Sequence, residues 1–388
     1  MFGHGMGIIQ LLILFGCIIC VLGSNISTYR GLHDFVFKDY DAEIQPMPTD
    51  NGTLNIDVMF HLFAFNSFNE VEGVLSLVGA ISFFWTDESL IWNKTLFDGI
   101  EQIIVPQSKV WTPKIILVNG ADTLAWIGSD SSFNVQITNS GSLIWTPGSV
   151  LNAKCSVDVL KFPFDSHSCK LLLSGFGYHD TLRLLPISAT TENSHLILSQ
   201  QWELESTSVE VDLEHQSSFE VVINFKRKPV YYTVLVFTPT AVLALLNPLI
   251  FLLPIECGER LSFGMTILLS YMVFLTLVSD KIPTTSNPMS FMVIYIILLF
   301  VTSAFITMCN IINMKLYGSN ESEVTRFQRC FISSCSKYRQ KDSMLDVSEQ
   351  KKKPTTKDFV RILDKIYVFF FYSTILIIFV AYLTVTAL

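Results

Sequence analysis

Four apolar runs of about twenty residues, at 231–253, 261–279, 290–312 and 366–388, lie in the second half of the chain. A run of that length matches the hydrocarbon thickness of a bilayer, where backbone polar groups must be satisfied inside the segment itself. The second half is therefore expected to be a bundle of four membrane helices. Composition agrees: half of the 388 residues are hydrophobic, and a mean hydropathy of +0.45 is too high for an ordinary soluble protein. Residues 315–358 carry ten Lys or Arg against six Asp or Glu, leaving the rest of the chain net negative by twelve against an overall −8. That asymmetry puts the 315–358 segment in the cytoplasm and both termini outside, in a plasma-membrane protein.

Residues 7–22 form a shorter apolar stretch followed by Gly23 and Ser24, so residues 1–23 read as a signal peptide. Residues 24–228 alternate polar and apolar positions. Within them 74–85, 158–164, 170–176 and 218–225 are short, rich in branched and aromatic residues, and bounded by turn formers such as Asn139-Ser-Gly141. Strands at this spacing predict an antiparallel extracellular sandwich. Trp85, Trp92, Trp111, Trp145 and Trp202 are expected in its core. Asn25, Asn51 and Asn93 head glycosylation sequons, consistent with an outside location, whereas Asn320 falls in the cytoplasmic stretch and should stay bare. The expected layout is thus an all-β extracellular domain at 24–228, membrane helices at 229–314, a cytoplasmic segment at 315–364 and a fourth helix at 365–388.

Cys155 and Cys169 enclose thirteen residues, SVDVLKFPFDSHS. With FPFD at its centre this stretch resembles the signature loop of the Cys-loop receptors, the pentameric ligand-gated ion channels. Trp85-Thr-Asp-Glu-Ser-Leu-Ile-Trp92-Asn is similar to the WTDxxLxWN stretch of nicotinic-type members, and Trp111-Thr-Pro113-Lys-Ile-Ile-Leu-Val-Asn119 to their WxPDxxLYN stretch. The resemblance implies a Cys155–Cys169 disulfide, an oxidising compartment and assembly as a homo- or heteropentamer.

The departures bear on the ligand. Ala80 stands where the family often has tryptophan, Val118 replaces a tyrosine, Lys114 an aspartate, and Phe176 the central tryptophan. Residues 203–226 lack the adjacent cysteines and tyrosines of acetylcholine-binding subunits. A cage that grips quaternary ammonium by cation–π attraction is therefore degraded, and a bulkier, less charged agonist is expected. Phe176, Trp126, Trp145, Val118, Ala80, His215 and Phe219 are the candidate lining residues. A similar mixture of retained scaffold and lost cysteines occurs in the divergent chemosensory receptors of cephalopods, and other divergent invertebrate subunits share these losses.

The second span begins at Gly258-Glu259-Arg260 and resembles the pore helix of the cation-selective branch. Ser262, Thr266, Leu269, Val273 and Thr276 recur at steps of three and four, hence on one helical face. Five copies of Glu259 and of Asp280 would ring the inner and outer mouths, selecting sodium and potassium, with calcium left open. Leu269 and Val273 suit a gate that closes by dewetting. The resemblance further pairs Glu70 with Arg227 and places Phe162, Pro163 and Asp165 over the linker Lys281-Ile-Pro283, as the coupling between ligand and pore. Pro239 matches a family proline in the first span, whereas Pro248 beside Asn247 has no assigned role.

The chain has no phosphate-binding glycine loop, HExxH or nucleophile elbow, so no enzyme, cofactor or metal is expected. Cys330 and Cys335 lack nearby histidines and do not read as a zinc site. The expected partners are a small-molecule agonist, permeant cations and the lipid bilayer, not nucleic acid. The reading is a ligand-gated cation channel subunit; the alternative is a non-conducting or ligand-blind auxiliary subunit.

Overall fold

The computed structural model describes residues 26–47, 52–122, 124–129, 133–191, 197, 199–212, 215–282, 289–318 and 356–387. They divide into two compact units, one within Met1–Ser156 and His167–Lys226, the other within Val157–Ser166 and Arg227–Leu388. The expected signal peptide, Asn25, Asn51, Pro283, Asn320, Cys330 and Cys335 lie outside the described residues.

The first unit opens with a helix over residues 26–37, which buries Leu32 and Val36. Two inward residues four apart make no apolar run, so the strand-rich reading of the sequence missed it. Among the described residues eleven strands follow: β1 (Leu54–Asn69), β2 (Val74–Thr86), β3 (Gln102–Pro106), β4 (Ile116–Leu117), β5 (Asn134–Thr138), β6 (Ser142–Trp145), β7 (Gly148–Lys154), β8 (Ser166–Ser174), β9 (Leu182–Thr191), β10 (Trp202–Val211) and β11 (Ser218–Arg227). One sheet runs β3-β5-β6-β2-β1-β9 with β7 also on β2; the other runs β10-β11-β8-β4.

β1 alternates buried Leu54, Ile56, Val58, Phe60 and Leu62 with more exposed neighbours, the two-residue period of a strand with one buried face. Between the sheets Phe65 and Phe68 of β1 meet Phe225 of β11 edge-on at 5.0 and 5.1 Å, and Phe68 meets Trp202 of β10 at 5.4 Å. The five tryptophans expected in the core are all buried. Gly141 in the β5–β6 turn has φ +79, and a Cβ there would lie 2.5 Å from the Asp87 carbonyl oxygen. Only glycine fits both the left-handed backbone and that approach.

Residues 158–164, expected as a strand, form turns instead. Their apolar side chains are spent elsewhere: Val159 and Phe162 belong to the hydrophobic cluster of the membrane unit, with Val236, Tyr271, Ile282 and Tyr295.

Four helices of the second unit are long and apolar enough to cross a membrane, Val230–Leu252, Glu259–Ser279, Phe291–Gly318 and Thr356–Thr386. The first is not uniform. A π-helical turn over Thr233–Phe237 precedes the α-helix Thr238–Leu246, with Pro239 in its opening turn. The looser turn accommodates a ring that would otherwise clash with a carbonyl four residues back. At Asn247–Leu252 the helix tightens to 3-10 geometry with Pro248 at its start, which gives that second proline a structural role. The fourth helix starts at Thr356, ahead of the expected boundary at 365; Lys357–Lys365 continue into the apolar run without a break.

Candidate functional site

Cys155 and Cys169 are joined, with Cα atoms 5.3 Å apart. Inside the loop they close, Asp165 receives two hydrogen bonds from Arg227, Nε to Oδ1 at 2.8 Å and Nη2 to Oδ2 at 2.9 Å. Both side chains are buried, at 2% and 1% exposure. A buried fork-to-fork pair of this kind is strong only because its geometry is good. The guanidinium also lies 4.9 Å from the Phe162 ring centroid and 5.4 Å from that of Tyr232. The Leu160 carbonyl accepts from the Phe291 amide at the head of the third span, at 3.0 Å. Thus Leu160 and Phe162 meet the first turns of the third and first spans, the Phe162 ring lying 4.8 Å from that of Tyr232, and Phe162 shares a cluster with Ile282 of the linker. Arg227 thus pairs with Asp165, an acidic residue of the loop itself, a partner that sequence reasoning had not named for it.

The candidate ligand residues separate by burial. Ala80, Trp145 and Phe219 are interior, at 3%, 2% and 0% exposure, which corrects their assignment as lining residues. Trp145 stacks on Phe83 and donates its indole N–H to Gln107; Phe219 points into the sandwich from β11. Phe176 is 77% exposed in the bend after β8, and Trp126 and Val118 are partly exposed. Trp126 bridges to Ile116 of β4, and Lys114 Nζ sits 5.2 Å from its ring centroid. A cavity of about 210 Å³ beside it is lined by Leu117, Asp122, Trp126, Ile127, Val150 and Asn152, among others. His215 is solvated and faces Asp212 at 3.4 Å.

Sequence reading passed over Tyr178. Its hydroxyl accepts from the Lys114 amide at 3.1 Å and its ring meets Trp111 edge-on at 6.2 Å, so it braces the segment that leads to Val118. Burial pushes that hydroxyl above the ordinary tyrosine range. Asp87, buried at 3% exposure, was likewise missed; it accepts from Tyr40 at 3.0 Å and from the Ser89 amide at 3.0 Å. No spacing rule flags either residue, since each acts by filling a tertiary gap.

On the second span, Arg260, Gly264, Ile267, Tyr271 and Val278 are buried. At about 100° per residue they share one face, and Ser262, Thr266, Leu269, Val273, Thr276 and Asp280, all exposed, fall on the opposite one. Glu259 is exposed next to buried Arg260, and Gly258 enters the helix with φ +62.

The neurotransmitter-gated ion-channel ligand binding domain matches residues 30–236, and the corresponding transmembrane region matches residues 236–361. The chain belongs to the neurotransmitter-gated ion-channel family. Among its relatives, the acetylcholine receptor subunit beta-type acr-3 of Caenorhabditis elegans is 30% identical over 75% of this chain and 60% of its own length. The beta-type subunit unc-29 of the same organism is 30% identical over 73% and 57%, and the neuronal acetylcholine receptor subunit beta-4 of Bos taurus 27% identical over 76% and 60%. The chain thus spans about 60% of the length of the curated relatives it matches. Family membership and four membrane-length helices make it an integral membrane protein of receptor architecture, a β-sandwich extracellular domain with four candidate membrane helices, and not an enzyme.

Proposed function

We propose that this chain is a subunit of a pentameric cation channel, opened from outside by a small hydrophobic ligand other than acetylcholine at subunit interfaces, with a chemosensory role. The observation that carries the proposal is the exposed face of the second span, polar at Ser262 and Thr266, apolar at Leu269 and Val273, and flanked by Glu259 and Asp280. Five such faces around an axis enclose a pore with an acidic ring at each mouth, which concentrates sodium, potassium and calcium. The apolar middle closes by dewetting. Asp165, Arg227 and Phe162, with Lys281 and Pro283 of the linker and Glu70 on the extracellular side, carry the coupling.

The ligand reading rests on chemistry near Phe176. Lys114 already places a cation over Trp126, and Val118 offers no ring, so a quaternary ammonium finds little to hold it. Exposed Asn93 is the glycosylation site within the described residues.

Recording from cells expressing the chain alone, with amines, acetylcholine and hydrophobic natural compounds, tests the proposal. A cation current evoked by the hydrophobic compounds and reduced by Glu259→Ala is expected. Surface protein with no current would favour the auxiliary role, and reversal at the chloride potential would overturn the pore assignment.

A further inference from the structure

All four membrane helices contribute to one Arg260–Asp364 cluster. Arg260, the second residue of the second span, is 3% exposed. Its Nε donates to the Leu253 carbonyl at 2.7 Å and its Nη2 to the Phe251 carbonyl at 3.2 Å, both at the end of the first span. Nη1 and Nη2 reach the Asp364 carboxylate of the fourth span at 3.3 and 3.0 Å. Asp364 Oδ1 in turn accepts from Asn313 of the third span at 2.7 Å. Asp364 is 6% exposed. A carboxylate at such depth in a membrane bundle is retained only where it meets partners.

We propose that Asp364 is a positioning residue for the pore helix: through Arg260 it sets the rotational phase of the second span. The geometry is direct. Side chains on a helix are about 100° apart per residue, so holding Arg260 toward the bundle interior turns Glu259 outward and Ser262, Thr266 and Leu269 to the opposite face. No other charged side chain of the second span is buried, and the turn entering it has a left-handed glycine, Gly258, that gives no side-chain grip. The fork of an arginine fixes azimuth as well as distance, since two donors on a planar group meet two acceptor oxygens.

The inference rests on the second span lining the pore, and its test separates the two. Single cysteines at 261–270 in the full chain are probed from the cytoplasmic side, in inside-out plasma-membrane vesicles, with a small cationic methanethiosulfonate, against the chain without an added cysteine. With Asp364 intact, labelling should peak at 262, 266 and 269; a pattern without those peaks sinks the pore reading instead. Asp364→Asn should move the peaks by about one residue or flatten them at least threefold, at a surface level that still permits labelling. Surface-expressed Asp364→Asn with unmoved peaks overturns the inference. If that variant fails to reach the surface, Arg260→Lys, which keeps the charge and loses the fork, decides it by the same shift or its absence.

Discussion

At the residue scale the most exacting contact is the Asp165–Arg227 pair. Removing one partner leaves the other charge buried, so Asp165→Asn is expected to cost about 3–5 kcal/mol, read as a lower unfolding temperature of the purified full chain. An unchanged melting curve would mean the pair is solvated. Phe176→Ala should behave oppositely: an exposed ring contributes within about 0.5 kcal/mol to stability, yet its loss should weaken the response to a hydrophobic agonist at least tenfold. Equal responses would remove Phe176 from the binding surface. The tryptophans of the core were legible because large apolar groups inside a strand pattern have nowhere else to go. Ala80 and Phe219 were misread as lining residues because a position along a strand does not say which way a side chain points; the two-residue alternation decides that. Asp165 as the carboxylate for Arg227 was hidden by separation in sequence: the two are 62 residues apart.

At the scale of elements, the second span was the most legible, since steps of three and four translate directly into a face. Its contact with the third span was not. Gly264 allows a close approach there, for a Cβ would meet Thr307 Oγ1 of the third span at 3.0 Å and Ile250 Cδ1 of the first at 3.1 Å. Gly264→Leu is therefore expected to destabilise by about 1–3 kcal/mol through overpacking, measured by thermal unfolding in detergent; equal stability would show that the helices can part without cost. The irregular first span follows from its two prolines, whose positions were visible but whose remedies, a π turn and a 3-10 turn, depend on local packing. The fourth helix runs ahead of its apolar stretch because the charges of Lys357–Lys365 lower hydropathy without lowering helix propensity.

At the scale of the whole molecule, order of elements and chain class were readable because membrane length, sign of charge and strand period are coarse signals. The loop closed by Cys155 and Cys169 was readable as a disulfide-bonded loop but not in its conformation: residues 158–164, expected as a strand, turn so that Val159 and Phe162 join the apolar cluster of the membrane unit. Replacing both cysteines by serine should lower stability by about 3 kcal/mol, seen as an earlier transition in chemical unfolding; coincident curves would show that packing alone holds the loop. The fourth helix has a further consequence. Its 31 residues reach about 46 Å at 1.5 Å each, well beyond a hydrocarbon core of about 30 Å. Asp364 lies in the third turn of this helix, the one with the least interior cover of the four. Bilayers of different acyl-chain length will tilt or draw that helix to different extents, and the pore should register the thickness of the lipid around it.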